Sequence, residues 1–263
     1  MSEAPVSEAP VSVASGRPRR AVLGLFAASA AVPLLAGCGG HSKHAAKEAA
    51  KDGATGSAPA VAPVASAVSS AGSGPGGPDV IMIIRHAEKP TGSGAPYGIT
   101  ADGKRDSESL TVQGWTRAGA LVGLFAPRDG AGAPAPVRTG LVRPTGVHAA
   151  DPSTGGSQRP EETATPTAAA LGVQLDLRFA KGQEAALAAA LLASAGPRLV
   201  AWEHESIAAI IDHLGPVSPT PPSAWPDDRF DLVWVLTARS GGGWDFTQVP
   251  QMLLAGDSTE PIG

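Results

Sequence analysis

Val80-Ile81-Met82-Ile83-Ile84-Arg85-His86-Ala87-Glu88 is the stretch that decides the fold. Five consecutive apolar residues shortly after Pro78 have the length of a β-strand, and an unbroken run, rather than an alternating one, indicates burial on both faces. Such a strand belongs inside a sheet covered by helices on both sides. Sites in sheets of this kind gather at the carboxyl ends of the parallel strands. Arg85 and His86 stand at that end.

Downstream, the pattern alternates between helix and strand. Thr111 opens a helix in which Trp115, Ala118, Leu121, Val122 and Phe125 recur on one face. Gly146–Ala149 reads as a short strand after Pro144. Glu161–Leu171, interrupted by Pro166, and Gln183–Ala195 read as helices, Leu199–Trp202 as a buried strand and Ser206–Leu214 as another helix. Phe230–Thr237 and Trp244–Val249 are late strands around the turn Ser240-Gly241-Gly242-Gly243. Residues 79–263 are therefore expected to form one α/β domain, a three-layer α/β/α sandwich with a mostly parallel central sheet and no internal repeat.

Upstream the composition changes. Ten of the eleven aromatic residues lie after residue 79, the exception being Phe26. Residues 39–78 hold 29 Ala, Gly, Pro or Ser among 40, with no aromatic, Leu, Ile or Met. A segment of that kind has too little to bury to offset its ordering entropy, so 38–78 is read as a tether with a reach of roughly 35 Å. His41 and His44 lie in it without a third ligand and are read as solvated. Residues 1–37 end their polar part in Arg17, Arg19 and Arg20, followed by an uncharged apolar run from Ala21 to Gly37, the layout of an export signal. The full chain of 263 residues has 20 Lys and Arg against 24 Asp and Glu, a net charge of −4, which argues against a nucleic-acid partner. Its single cysteine, Cys38, excludes an intramolecular disulfide and a thiolate metal cluster.

Leu35-Ala36-Gly37-Cys38 resembles the lipobox of bacterial lipoproteins, which implies cleavage before Cys38, lipidation of its thiol and a membrane anchor outside the cytoplasm. Arg19-Arg20 followed by Ala21-Val22-Leu23 is similar to a twin-arginine signal, although Val22 stands where an aromatic is frequent, so both general and twin-arginine export stay open.

The chemistry gathers at element ends. Arg85-His86 follows the first strand, Arg159 precedes a helix, and His204 follows the strand ending at Trp202. An imidazole can attack phosphorus, guanidiniums can clamp phosphate oxygens in pairs, and a second imidazole can hold the transferring group. Arg85-His86-Ala87-Glu88 resembles the Arg-His-Gly-Glu signature of the histidine phosphatase (phosphoglycerate mutase-like) superfamily. The resemblance continues through Leu110-Thr111-x-x-Gly114-x-x-Arg117-Ala118, Ser157-Gln158-Arg159-x-x-Glu162-Thr163-Ala164 with its trailing Ala170-Leu171-Gly172, and His204-Glu205. These blocks span about Asp79 to Leu214 in the family's order.

The resemblance implies a metal-independent phosphomonoester hydrolase without a cofactor, acting on a phosphorylated small molecule or phosphoprotein through phospho-His86. Arg85, Arg159 and His204 would bind the phosphoryl oxygens. Two residues compete for the role of proton donor: Glu205, adjacent to His204 and favoured for that reason, and Glu184. Ala87 in place of glycine, Pro90, and the loops Pro90–Ser109 and Ala150–Gly156 depart from the family pattern, so specificity does not carry over. Glu88 is read as a partner of an arginine, and His148 and His213 as structural. His204-Glu205 is no zincin motif, since its second histidine would fall on Ala208. Export sets the protein apart from a glycolytic mutase. The alternatives are an inactive tethered module that binds a phosphorylated or anionic ligand, and a structural envelope lipoprotein that would leave the ordered motif blocks unexplained.

Overall fold

The strand expected at the head of the domain forms and runs one residue further, as β1 (Val80–Arg85). The protein is described by a computed structural model over residues 79–263. The expected export signal over 1–37 and the expected tether over 38–78, with Cys38, lie outside the described residues. Ile81 and Ile83 point into one hydrophobic cluster, and Val80, Met82 and Ile84 into another, as period-two alternation requires of a strand covered on both sides.

The first cluster joins β1 to α3 (Glu184–Leu192) through Leu187 and Leu191, and to α4 (His204–Asp212) through Ile207 and Ile210. The second joins it to α1 (Val112–Phe125) through Leu121, Leu124 and Phe125, and to α2 (Arg159–Leu171) through Ala164 and Ala168. Two helices on each face make the three-layer α/β/α sandwich. Full burial of each large apolar side chain contributes about 1.5–3 kcal/mol, and Trp202, Phe125 and Leu187 lie wholly inside.

The remaining strands are β2 (Gly146–Ala149), β3 (Leu175–Asp176), β4 (Arg198–Trp202), β5 (Val217–Ser218), β6 (Leu232–Ala238) and β7 (Trp244–Pro250). The seven-stranded sheet has the order β3-β2-β4-β1-β6-β7-β5. The pairs β1–β4, β2–β4, β2–β3 and β5–β7 are parallel, and β6 runs antiparallel to β1 and β7. The central neighbours β1 and β4 therefore end side by side. Arg85 pairs with Trp202 in register, and the His86 N–H donates to the Trp202 carbonyl at 3.0 Å.

Several boundaries differ from expectation for identifiable reasons. Helix α4 begins at His204, two residues before the expected start, so the motif histidine sits in a first helical turn rather than in a loop. Helix α2 begins at Arg159 because Pro160 suits the opening turn, and it continues through Pro166. Helix α3 stops at Leu192, short of Ala195, and Gly196 then adopts a positive φ of 79° before Pro197. Strand β6 starts at Leu232, leaving Phe230 free to pack over Arg85. On α1, Val122 is only half-buried and Leu124 takes the interior position. Strands β3 and β5 have two residues each and carry no periodic signal that could reveal them.

Candidate active site

The site grows from the loop that leaves β1. Thr163 on α2 uses one hydroxyl twice, accepting from the Ala87 N–H at 2.8 Å and donating to the Arg159 carbonyl at 2.7 Å. That bond ties the residue after His86 to the residue that opens α2. Thr111 caps α1 by accepting from the Gly114 N–H, and its own N–H donates to the Glu88 carbonyl at 3.0 Å. Gly114 has no substitute here, because a Cβ would stand 2.6 Å from the Glu88 carbonyl oxygen. Glu88 is paired as expected: its Oε1 accepts from Arg117 Nε at 3.0 Å and from Nη2 at 2.8 Å, and Asp257 Oδ1 meets the same Nη2 at 2.7 Å.

His86 is almost fully buried, and its Nδ1 lies 2.7 Å from the Ala87 carbonyl. A carbonyl can only accept, so Nδ1 carries the proton and Nε2 keeps its lone pair. Burial is the main reason its pKa is pushed down to about 3, with Arg85, Arg159 and Lys89 adding to the effect against the Ala87 carbonyl. The imidazole is neutral at any physiological pH. The His204 ring lies edge-on at 6.5 Å between centroids.

Arg85 is locked from one side. Its Nη1 donates to the carbonyls of Pro226 at 2.8 Å and Arg229 at 3.2 Å, and its guanidinium carbon lies 4.0 Å from the Phe230 ring centroid. Burial pushes its pKa down to about 10, which leaves it charged. Among the described residues, Arg85 Nε and Nη2, Arg159 Nε and His204 Nδ1 are buried without a hydrogen-bond partner. Burying such groups unpaired is costly, and the three guanidinium nitrogens among them are donors with capacity to spare. Asp227 already places a carboxylate there: its Oδ1 is 2.8 Å from His204 Nε2, 3.4 Å from Lys89 Nζ and 3.8 Å from Arg85 Nη2, although its side chain is 79% exposed.

His86, Arg159, His204 and Glu205 line one open cleft of about 290 Å³. Glu108 reaches it from the loop 90–109, and Gly155 and Gly156 from the loop 150–156, so both of these loops border the cleft. Arg159 Nη2 also donates to the Ser107 carbonyl and lies 3.5 Å from Glu108 Oε2. Glu205 is 62% exposed and is paired with Lys181 at 2.5 Å, which holds its carboxyl below the usual carboxylate range. Glu184 lies off the cleft wall: its Oε1 accepts from Trp202 Nε1 and the Gly182 N–H, each at 3.0 Å, and fixes the indole at the end of β4. Burial raises its pKa, but these donors outweigh burial and leave it lowered. His148 stands apart, on β2 beside Asp176 at 3.1 Å.

The sequence reading missed Lys89, Lys181, Glu203 and Asp227. Lys89 adjoins the first motif block and could have been found there. Asp227 could not, because it belongs to a Pro-rich loop with no periodicity, brought to the site by the approach to β6.

No protein-family model matches the chain, and no curated protein matches it. Among solved structures, the protein is similar to Mycobacterial hydrolase 1, at 13% identity over 64% of this chain and 96% of that one, with a TM-score of 0.39. It is also similar to a protein assigned as the phosphohistidine phosphatase SixA of Agrobacterium tumefaciens, at 16% identity over 65% and 96% of the two chains, with a TM-score of 0.38. Mycobacterial hydrolase 2 aligns at 11% identity over 70% and 93%, with a TM-score of 0.36.

Proposed function

We propose that the chain is a histidine phosphatase that hydrolyses phosphomonoesters through a covalent phospho-His86, exported from the cytoplasm and held at a membrane by lipid on Cys38. One observation supports the catalytic reading: a buried, neutral His86 with Nε2 free of the proton, beside Arg85 and Arg159, whose guanidiniums keep nitrogens without a hydrogen-bond partner. Nε2 attacks phosphorus, and the bond to the leaving oxygen breaks as the N–P bond forms. Arg85 and Arg159 take the charge on the phosphoryl oxygens, with His204 as a further donor once the substrate displaces Asp227. Water then cleaves the N–P bond and releases inorganic phosphate. A module that only binds anions has no use for a histidine held in the nucleophilic tautomer.

The mature protein is expected to hydrolyse p-nitrophenyl phosphate in the presence of EDTA and to be inhibited competitively by orthovanadate. Arg85→Gln should lower kcat/KM by about 10²- to 10³-fold, the usual loss when a preorganised donor to the transition state is removed. Wild-type turnover that the chelator abolishes, or that Arg85→Gln leaves unchanged, contradicts the reading.

The anchor rests on Leu35-Ala36-Gly37-Cys38 at the end of an apolar run. A singly acylated chain would anchor only weakly, whereas two or more acyl chains hold a soluble domain stably. Cys38→Ser should block acylation and move the protein from the membrane fraction to the soluble fraction. Unchanged fractionation of the variant would refute the anchor.

A further inference from the structure

Glu203 belongs to none of the motif blocks, and its position calls for a role. It follows the last residue of β4. Since Arg85 pairs with Trp202 and the His86 N–H donates to the Trp202 carbonyl, Glu203 is the neighbour of His86 across the two central parallel strands, about 4.8 Å away in backbone spacing. It lines the same cleft as His86, Arg159 and His204. Its side chain does not cap α4, although Glu203 is the N-cap residue, and among the described residues its Oε2 is buried without a partner.

We propose that Glu203 is the general acid that protonates the leaving oxygen. The assignment rests on the phosphohistidine reading above. Burial of a carboxyl that is 7% exposed, with Oε2 lacking a partner, favours its protonated form. Burial raises its pKa, and the Glu184 and Glu205 charges add to this, while Lys181 and its own backbone N–H pull in the other direction. The groups around it are Lys181 from the turn before α3, Glu184 at the start of α3, His204 and Glu205 from α4, and His86 just after β1. The environment separates the three carboxyls in their roles. Lys181 pairs with Glu205 in solvent and lowers its pKa, Glu184 is held by Trp202 and Gly182, and of the three only Glu203, at the cleft wall, ends with a raised pKa, chiefly through burial.

The steps balance. As His86 Nε2 bonds to phosphorus and the ester P–O bond breaks, the leaving oxygen takes the Glu203 proton and departs as a neutral alcohol. The resulting carboxylate then accepts a proton from the attacking water as its oxygen bonds to phosphorus and the N–P bond breaks. Inorganic phosphate leaves and Glu203 is protonated again.

The test compares Glu203→Gln with wild type on two esters. β-Glycerophosphate releases an alkoxide that needs a proton, and p-nitrophenyl phosphate releases a stable phenolate that does not. Glu203→Gln should lose about 10²- to 10⁴-fold in kcat on the alkyl ester and less than about 10-fold on the aryl ester. The fall in alkyl-ester activity at alkaline pH should disappear in the variant, and Glu203→Asp should restore part of the rate. Equal losses on both esters with an unchanged pH profile would overturn the assignment and leave the phosphatase reading standing. A wild type inactive on both esters would overturn the phosphohistidine reading and this assignment with it. A thermal melt of Glu203→Gln checks folding, and the neutral amide in place of a buried acid should leave the melting temperature unchanged or higher.

Discussion

His86→Ala is expected to lower phosphomonoester hydrolysis by at least about 10⁴-fold, the scale of loss when the nucleophile of a covalent mechanism is removed. The variant should still bind orthovanadate, because Arg85, Arg159 and His204 are held by contacts that do not pass through the imidazole. Loss of turnover with retained anion binding separates a missing nucleophile from a collapsed site. The pH dependence supplies a second readout. The folded pKa of His86 is about 3, below its unfolded value of about 6.5, so the unfolded chain takes up a proton between these limits and the folded chain does not. Through this group the native protein loses stability as pH falls from about 6.5 toward 3, and the loss is complete below 3. His86→Ala abolishes that component, so its denaturation midpoint should fall less steeply with acid than that of the wild type. Parallel curves would contradict the burial of a neutral imidazole.

Arg117→Ala should cost about 3–5 kcal/mol of stability, as removal of one partner from a buried ion network does. Arg117 is 3% exposed and binds Glu88, Asp257 and Gln251, and its loss strands two carboxylates in the interior. Burial lowers the Arg117 pKa, but Asp257 and Glu88 outweigh it and leave the pKa raised. Burial likewise raises that of Asp257, but Arg117 and the Leu253 and Leu254 amides hold it below the usual range. The Asp257 contribution is therefore present above about pH 4, its unfolded value, and is lost as pH falls through the depressed value. Glu88 shares its loop with His86, so the variant should also lose activity through a displaced nucleophile. Urea denaturation at neutral pH measures the effect. A loss below about 1 kcal/mol would mean that Glu88 and Asp257 find other partners.

The helices, the long strands and the placing of Arg85, His86, Arg159 and His204 at element ends were readable from the sequence because each rests on a local rule. Val80–Ile84 announces itself by an unbroken apolar run, α1 by its periodic face and Thr111 cap, and Arg85, His86, Arg159 and His204 by standing at the ends of such elements. What stayed hidden depends on long-range packing. Glu203 reads as an ordinary strand end until the β1–β4 register places it beside His86. Asp227 and Phe230 reach Arg85 only because the approach to β6 folds over the end of β1. The preference for Glu205 over Glu184 rested on chain adjacency to His204. Adjacency brings Glu205 to the cleft, where it pairs with Lys181, a contact the sequence does not show.

The central claim is a covalent bond between phosphorus and His86. Rapid acid-free quench of the protein with a ³²P-labelled aryl phosphate, followed by peptide mapping, tests it directly. The account predicts an acid-labile, base-stable label on the peptide carrying His86, formed as fast as turnover and absent from His86→Ala. Steady turnover without label at His86, or label on any other residue, would contradict it.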